Sequence, residues 1–202
     1  RMQVLNGENM RGVIMKMLTD IVEGAVDMSI GDEQSPEKWN FKELNELLLP
    51  IIPLKPVELN DEIRGMKKDQ LKHALKEAAT KLYEAKEAEF PDGEQIREVE
   101  RVVLLKVIDN KWMSHIDDME QLRQGIGLQA YGQRDPLVEY KMSAYEMFDD
   151  MTSAIREDTI RILCHIRVEQ KVEREPAAKV TGTNKDDSAA RAPQRRATQK
   201  IY

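Results

Sequence analysis

Apolar residues recur every three or four positions through most of residues 1–172, which predicts an all-α protein. The first such stretch covers residues 5–28 and forms one stripe, consisting of Met10, Val13, Ile14, Met17, Leu18, Ile21, Val22, Ala25 and Met28. A stripe of this kind indicates an amphipathic helix that needs other elements to cover it. If nothing in the chain covers it, self-association of the protein becomes plausible.

The middle of the chain predicts short helices around a proline-rich break. Ser35 and Pro36 form a good helix start, with serine as the N-cap and proline in the first turn, and a short helix carrying Trp39 and Leu44 is expected to follow. Prolines at positions 50, 53 and 56 then exclude a helix, because proline lacks the backbone donor. A further helix is predicted over 69–89, with one apolar face made of Leu71, Leu75, Ala78, Leu82 and Ala85.

The last third predicts a long helical hairpin. One helix is expected over 94–124, a glycine-rich loop over 125–135, and a second helix beginning with Asp135 as N-cap and Pro136 in the first turn. The first arm would be about 45 Å long at ~1.5 Å per residue, and the loop is short enough for an antiparallel pair. The apolar positions expected inside the pair include Val103, Val107, Trp112, Ile116, Leu137, Tyr140, Phe148, Met151, Ile155 and Ile162.

Two readings stay open for the apolar residues near the loop. Ile126, Leu128 and Tyr131 cannot be buried between two helices at their tip, so they either fold back on the hairpin ends or bind a partner. For Trp112, packing inside the hairpin is favoured over a role in an adaptable binding surface.

Composition narrows the class of protein. The chain has 202 residues and a formal net charge of −6, which argues against a nucleic-acid-binding domain. Its one cysteine, Cys164, allows no internal disulfide, and no apolar run is long enough to span a bilayer. No secretory signal is recognisable, and a start at Arg1 inside a helical pattern suggests a piece of a longer protein.

Residues 173–202 lack periodicity and end in basic residues, which fits a solvated linker or contact with anionic lipid.

No catalytic or metal site is predicted. The sequence has no phosphate-binding G-x-x-x-x-G-K-[ST] loop, no H-E-x-x-H and no C-x-x-C. His73, His115 and His165 lie far apart, and the pairs His115 with Asp118 and Cys164 with His165 offer only two ligands where zinc takes three or four. Structural or surface roles are therefore expected for these side chains.

One segment is similar to a known family. Residues 104–148, LLKVIDNKWMSHIDDMEQLRQGIGLQAYGQRDPLVEYKMSAYEMF, resemble the two-helix finger of SecA, a family of bacterial protein-translocating motor ATPases. The matching positions are Asp109, Trp112, His115, Ile116, Met119, Leu122, Arg123, Gly125, Ile126, Leu128, Tyr131, Gln133, Asp135, Pro136 and Tyr140. Gln129 stands where the family often has arginine, and the cysteine cluster of the family's zinc-binding tail is absent, since Cys164 is the only cysteine.

The resemblance implies a division of the chain. Residues 1–28 would be the C-terminal part of a long scaffold helix, 29–92 a helical wing domain, 93–172 the scaffold return with the finger, and 173–202 a flexible linker. The motor domains that bind ATP and Mg²⁺ would lie outside this chain, which by itself is not expected to be an enzyme.

The resemblance also implies partners and site residues. The finger tip would meet secretory preproteins at the cytoplasmic mouth of the SecYEG channel, on the cytoplasmic face of the bacterial membrane. Tyr131 would be the tip contact, with Leu128, Ile126, Gln133 and Arg134 beside it. Trp112, His115 and Arg123 would serve finger packing and the regulation of ATP hydrolysis by the motor domains.

Two alternatives belong to other classes. The chain could be a structural and autoinhibitory scaffold or a dimerisation module, with the loop only a lid. A free-standing coiled-coil adaptor is a weaker alternative, because the three prolines of the middle region break any heptad pattern.

Overall fold

The fold was analysed in a computed structural model that describes residues 10–31, 35–129 and 135–167, with side chains in the second range as far as Ile126. Six α-helices and one short 3₁₀ turn, Pro36–Lys38, are present in these ranges, and none of the described residues lies in a strand. The helices are α1 (Arg11–Ser29), α2 (Phe41–Leu48), α3 (Asp61–Arg64), α4 (Lys68–Ala88), α5 (Gly93–Gln129) and α6 (Pro136–His165). The predicted all-α class is confirmed.

The core is built around α1, which packs on α2, α4 and α6. Ile14, Leu18 and Val22, at successive turns of α1, are 0% exposed. Side chains of α2, α4 and α6 complete the same cluster, among them Leu44, Leu71 and Leu163. Most of the stripe predicted for residues 5–28 is thus covered from within the chain as far as the structure describes it, while Val13 and Met28 are 38% and 75% exposed.

Ion pairs accompany the antiparallel packing of α1 on α4. Asp27 accepts from Lys68 and Lys72, whose Nζ atoms lie 2.8 and 2.7 Å from its Oδ1, and these contacts lower the pKa of Asp27. Lys76 pairs with Glu23 one turn further along. Pairs this exposed contribute at most ~1 kcal/mol each, so they support the register while the apolar stripe provides the stability.

The middle region departs from the predicted helix start. Ser35 and Pro36 begin only the 3₁₀ turn, and the helix begins at Phe41, after Asn40, whose side chain accepts from the Glu43 N–H at 3.1 Å. Trp39, which follows the 3₁₀ turn, has an extended backbone (φ −69°, ψ 140°) and is 6% exposed. The extended backbone at Trp39 separates the 3₁₀ turn from α2, where a continuous helix was expected, and its ring is buried in the core.

The proline-rich break is confirmed, but the segment is well packed. Ile52 in this break is 0% exposed and Val57 is 8% exposed. The Asn45 side chain on α2 holds Val57 by two hydrogen bonds, donating from Nδ2 to the carbonyl at 2.9 Å and accepting from the N–H at 2.8 Å. One amide thereby supplies the partners that an adjacent strand would give.

Helix α4 has the predicted extent but a different buried face. Ala78 is exposed, whereas Ala79 and Tyr83 are each 0% exposed. Alanine occurs on both faces of this helix, so Ala78 and Ala79 do not indicate which face is buried. The buried face is the one that carries the large side chain of Tyr83. Leu82 packs at the edge of the core, and Ala85 is exposed.

The two long helices form the predicted pair, with one boundary wrong. Helix α5 continues to Gln129, so residues 125–129 are helical and do not belong to the loop predicted over 125–135. A glycine weakens a helix by only ~1 kcal/mol, which is too little to end one that continues from a long packed arm. The start of α6 is confirmed, since the Asp135 side chain accepts from the Leu137 N–H at 2.9 Å.

The domain boundaries implied by the resemblance, 1–28, 29–92, 93–172 and 173–202, stay predictions. The linker proposed over 173–202 lies outside the described residues.

We predict that Asn45→Ala lowers the free energy of unfolding by about 2 kcal/mol, because both backbone groups of Val57 lose a part-buried partner. Chemical denaturation measures this change. Lys42→Ala, on the same helix and in an exposed pair with Glu46 at 3.7 Å, is the control and should change stability by less than ~0.5 kcal/mol. Equal effects of the two substitutions would contradict the assigned role of Asn45.

We predict that Cys164 in the folded chain resists alkylation. It is 4% exposed, and burial raises the pKa of its thiol to about 11, so at pH 8 on the order of 10⁻³ of it is thiolate. Mass spectrometry after iodoacetamide treatment should show a rate at least ~100-fold below that of a cysteine introduced at exposed Lys141. Raising the pH towards the thiol pKa or adding denaturant should speed the reaction, and rapid labelling at pH 8 without denaturant would show that the site opens.

Candidate functional site

The candidate site is the hairpin of α5 and α6, which are the most extensively packed pair of helices in the described chain. Lys111 on α5 pairs with Asp158 on α6, with Nζ and Oδ2 2.6 Å apart. One turn further out, the His115 ring lies 6.0 Å from the Phe148 ring, centroid to centroid. The arms thus run antiparallel, with residues near 129 and 136 at the far end.

The core of the protein ends well before the hairpin does. Among the described side chains, Val107 is the last one of α5 that is buried, and Met151 is the buried one of α6 nearest the far end. Between them, no described side chain of 108–126 or 135–150 is buried. Some 22 residues separate Val107 from Gln129, so about 33 Å of α5 extends past the core.

Between the arms, half-buried side chains form a narrow seam. On α5 they recur every three or four residues, at Lys111, His115, Met119, Leu122 and Ile126. On α6 the seam includes the small residues Ser143 and Ala144, which let the helices approach closely. This seam uses one stripe of each helix and leaves the remaining faces to solvent.

The prediction that Trp112 packs inside the hairpin is wrong. Its side chain is 48% exposed, and its ring lies 5.8 Å from that of His115 and not between the arms. Phe148, also expected inside, is 48% exposed, and Leu137 is 59% exposed. The cause is geometric, since one neighbouring helix cannot cover two sides of its partner.

Large apolar side chains therefore lie on the outside of the hairpin. We call them the outer apolar residues: Trp112, Met113, Ile116, Leu137, Val138, Met142, Tyr145 and Phe148, which are 48–76% exposed. Single exposed apolar residues are ordinary on protein surfaces, but eight on two helical segments are characteristic of surfaces that meet a partner.

The hairpin is also strongly acidic. Residues 109–126 and 135–150 contain nine acidic and three basic residues, a formal charge of −6 with His115 neutral. Negative charge beside apolar surface repels phosphate and favours a partner with apolar and basic groups.

An open groove of about 320 Å³ lies between the arms, near the middle of α5. Its lining combines polar and apolar side chains, among them Lys111, His115, Asp118, Met147 and Met151. Within the described ranges, no three His, Cys, Asp or Glu side chains are placed to hold a metal ion. None of the helices in those ranges is long and apolar enough to cross a membrane.

The structure places only some of the predicted site residues. Arg123 is exposed and paired with Glu120 at 2.7 Å, which lowers the pKa of Glu120, and Ile126 is half-buried. Leu128 lies in the last turn of α5. Tyr131, Gln133 and Arg134 lie outside the described residues, so their roles stay predictions.

Sequence reasoning missed the second apolar face of α6. Val138, Met142 and Tyr145 are spaced four and three residues apart, so they share one face of the helix. That face differs from the seam that contains Tyr140, Ala144 and Met147. The spacing of Val138, Met142 and Tyr145 is visible in the sequence. A second apolar stripe on α6, beside the one that forms the seam, would have predicted that these residues are exposed.

Comparison with known proteins matches nearly the whole described chain. A family model described as the SecA wing and scaffold domain matches residues 1–167. The protein translocase subunit SecA of Lachnoclostridium phytofermentans is 66% identical over 202 residues, covering 100% of this chain and 24% of that protein. The corresponding subunit of Caldicellulosiruptor saccharolyticus is 42% identical over 194 residues, which cover 94% of this chain and 22% of that protein. This chain therefore spans about a quarter of the length of these relatives.

We predict that Tyr145→Ala changes the free energy of unfolding by less than ~0.5 kcal/mol, because Tyr145 is 76% exposed. Met151→Ala, two turns nearer the core at 9% exposed, should destabilise the chain by about 2–5 kcal/mol. Thermal or chemical denaturation compares the two. A large loss of stability for Tyr145→Ala would mean that the outer apolar residues are packed within the chain itself.

Proposed function

Because the chain belongs to the SecA family, we propose that it is the wing and scaffold region of a protein translocase subunit, and that its hairpin engages the translocated polypeptide. The observation that carries the proposal is the hairpin itself. About 33 Å of helix extends beyond the core, with apolar and acidic side chains facing solvent.

The far end of such a hairpin is suited to contacts with unrelated sequences. The family resemblance assigns the tip contact to Tyr131, with Leu128, Ile126, Gln133 and Arg134 around it. A tyrosine offers a broad apolar ring and one hydroxyl while ordering only two side-chain torsions. It therefore binds many different chains weakly, as a motor that moves polypeptides of any sequence requires.

The proposed partners follow from the same family. They are secretory preproteins, the SecYEG channel and the motor domains of the longer protein, which would bind ATP and Mg²⁺ outside this chain. The protein would work on the cytoplasmic face of the membrane as a peripheral subunit. In this arrangement the present chain transmits position and does not itself bind nucleotide.

A second function is favoured by the position of some outer apolar residues. Trp112 and Ile116 are about half exposed and lie near the middle of α5, about 20–26 Å from its last residue, Gln129. Other parts of a longer protein could cover them, and the chain would then restrain ATP hydrolysis as a structural and autoinhibitory scaffold. The two functions are compatible, because they use different parts of the hairpin.

Tyr131→Ala in the full-length protein tests the first function. We expect transport of a secretory protein into SecYEG vesicles to fall by about tenfold, equivalent to ~1.4 kcal/mol, while ATPase activity persists. Tyr131→Phe should retain most transport, because the ring supplies most of the contact. Lys141→Ala is the control, since it removes an exposed side chain of the same hairpin that is not one of the outer apolar residues. Normal transport with Tyr131→Ala would refute the tip contact.

Replacement of residues 130–134 by a glycine–serine linker of the same length separates the two functions, because the tip side chains are lost while both described arms stay connected. An engaging tip predicts lost transport with polypeptide binding retained. An inhibitory scaffold predicts raised ATPase activity in the absence of channel and substrate. A photoreactive side chain at position 131 with a stalled secretory chain gives the independent check, and capture of the motor alone would favour the second function.

A further inference from the structure

The root of the hairpin contains a cluster of charged side chains that the proposed function does not use. Helix α4 ends at Ala88 and α5 begins at Gly93, so a short connection joins them. Close to it lie Tyr83 and Glu87 on α4 and Arg97 and Glu100 on α5. Arg11, at the start of α1, reaches the same cluster, which we call the root network.

Glu100 is the buried member of the root network. Its side chain is 0% exposed, and its Oε1 accepts from the Tyr83 hydroxyl at 2.5 Å and from Arg97 Nη1 at 2.5 Å. The other oxygen, Oε2, is buried without a hydrogen-bond partner in the described part of the chain. A buried carboxylate depends on every partner it has, and within the described residues Tyr83 and Arg97 are the hydrogen-bond donors to Glu100.

Arg97 joins two carboxylates on different helices. Its Nη1 donates to Glu100 on α5 and its Nη2 to Glu87 on α4. Glu87 in turn accepts from Arg11 of α1, with Nε 3.0 Å and Nη2 3.0 Å from its oxygens. One guanidinium therefore links the first turns of α5 to both α4 and α1.

The protonation states fit this reading. Burial opposes ionisation of Glu87, but hydrogen bonds from Arg11 and Arg97 outweigh it and leave the pKa of Glu87 lowered. Burial and the neighbouring Glu100 raise the pKa of Tyr83, so its hydroxyl keeps the proton that it donates. At neutral pH, Arg11, Glu87 and Arg97 are therefore charged, and the Tyr83 hydroxyl is protonated.

Few direct contacts with the core fix the direction of α5 at this point. Its main packing partner is α6, the other arm of the hairpin, which itself packs on α1, and the direct packing of α5 on α1 is slight by comparison. The buried side chains Ile96 and Leu104 anchor the helix, but apolar contacts are non-directional. Hydrogen bonds from a planar guanidinium have a fixed geometry and set an angle.

We propose that Arg97 is a positioning residue that sets the angle at which the hairpin leaves the core. From Arg97 to Gln129 the helix rises about 48 Å, so a tilt of ~5° at the root moves the far end by about 4 Å. The inference rests on the proposed function only for the use of this angle. A hairpin tip that contacts a translocated polypeptide needs a defined position relative to the core. Through Glu87 and Arg11, the same residue relates that angle to the helix α1.

A distance measurement tests the proposal without any transport assay. Spin labels at Lys16→Cys on α1 and Gln121→Cys on α5, both exposed positions, report the angle by double electron–electron resonance. Protein that carries only the native, buried Cys164 and is treated with the same spin label checks for background labelling. With Arg97→Gln we expect the distance distribution to shift or broaden by about 3 Å, the displacement at position 121 for the same ~5° tilt.

The matched control is Arg101→Gln. Arg101 lies one turn further along α5 and pairs with Glu98 of the same helix at 2.5 Å, so its loss removes the same charge without touching α1 or α4. Arg97→Lys should give an intermediate distribution, because an ammonium lacks the fork that holds two carboxylates. Circular dichroism and denaturation establish that each variant is folded.

Each outcome decides the question. Broadening with Arg97→Gln and none with Arg101→Gln supports the proposal, and an unchanged distribution in a folded Arg97→Gln protein overturns it. Should Arg97→Gln fail to fold, Arg97→Lys decides: a wild-type distribution with lysine refutes the need for the guanidinium. If the distances respond but Tyr131→Ala transports normally, the proposed function falls and the positioning role stands.

Discussion

Two helices that pack only on each other can bury one stripe each, and this constraint shapes the outer half of the molecule. The seam of α5 and α6 takes the half-buried residues around His115 and Ala144, and nothing in the described chain remains to cover the other faces. Trp112, Phe148 and Tyr145 consequently lie on the outside. An apolar surface that costs solubility and adds nothing to the fold is most simply understood as a surface for other molecules.

The same constraint places demands on the root of the hairpin. A long arm with a narrow seam has to take its direction from the short region where it meets the core. There the chain buries Glu100 and surrounds it with Tyr83 and Arg97, and it extends the charge pairing through Glu87 to Arg11. Apolar burial gives α5 its stability, and directional hydrogen bonds give it an angle. Burial of an acidic side chain costs free energy, and Glu100 is buried at the junction from which about 48 Å of α5 extends. This position supports a role of its hydrogen bonds in setting the angle of the helix.

Much of the fold was readable from periodicity. The helices, the proline break and the Asp135 cap required only local pattern, because spacing and capping chemistry are local properties. The errors share one cause, which is that burial depends on neighbours in space. Ala78 and Ala79 are indistinguishable until Tyr83 fixes the face of α4, and Trp112 resembles a core residue until the hairpin proves to have no third layer. The root network was invisible for the same reason. The family resemblance supplied the tip assignment at Tyr131, which lies outside the described residues.

The core stabilises α5 as far as Val107, and beyond that residue the helix is stabilised by its seam with α6. Native-state hydrogen exchange of the backbone amides of α5 tests this most directly, because local opening reports local packing. The account predicts strong protection over 96–107, close to that of global unfolding, and a steady fall from about residue 111 towards 126. Uniform protection along the whole helix would contradict it, since the outer half would then be held by packing that this account does not contain.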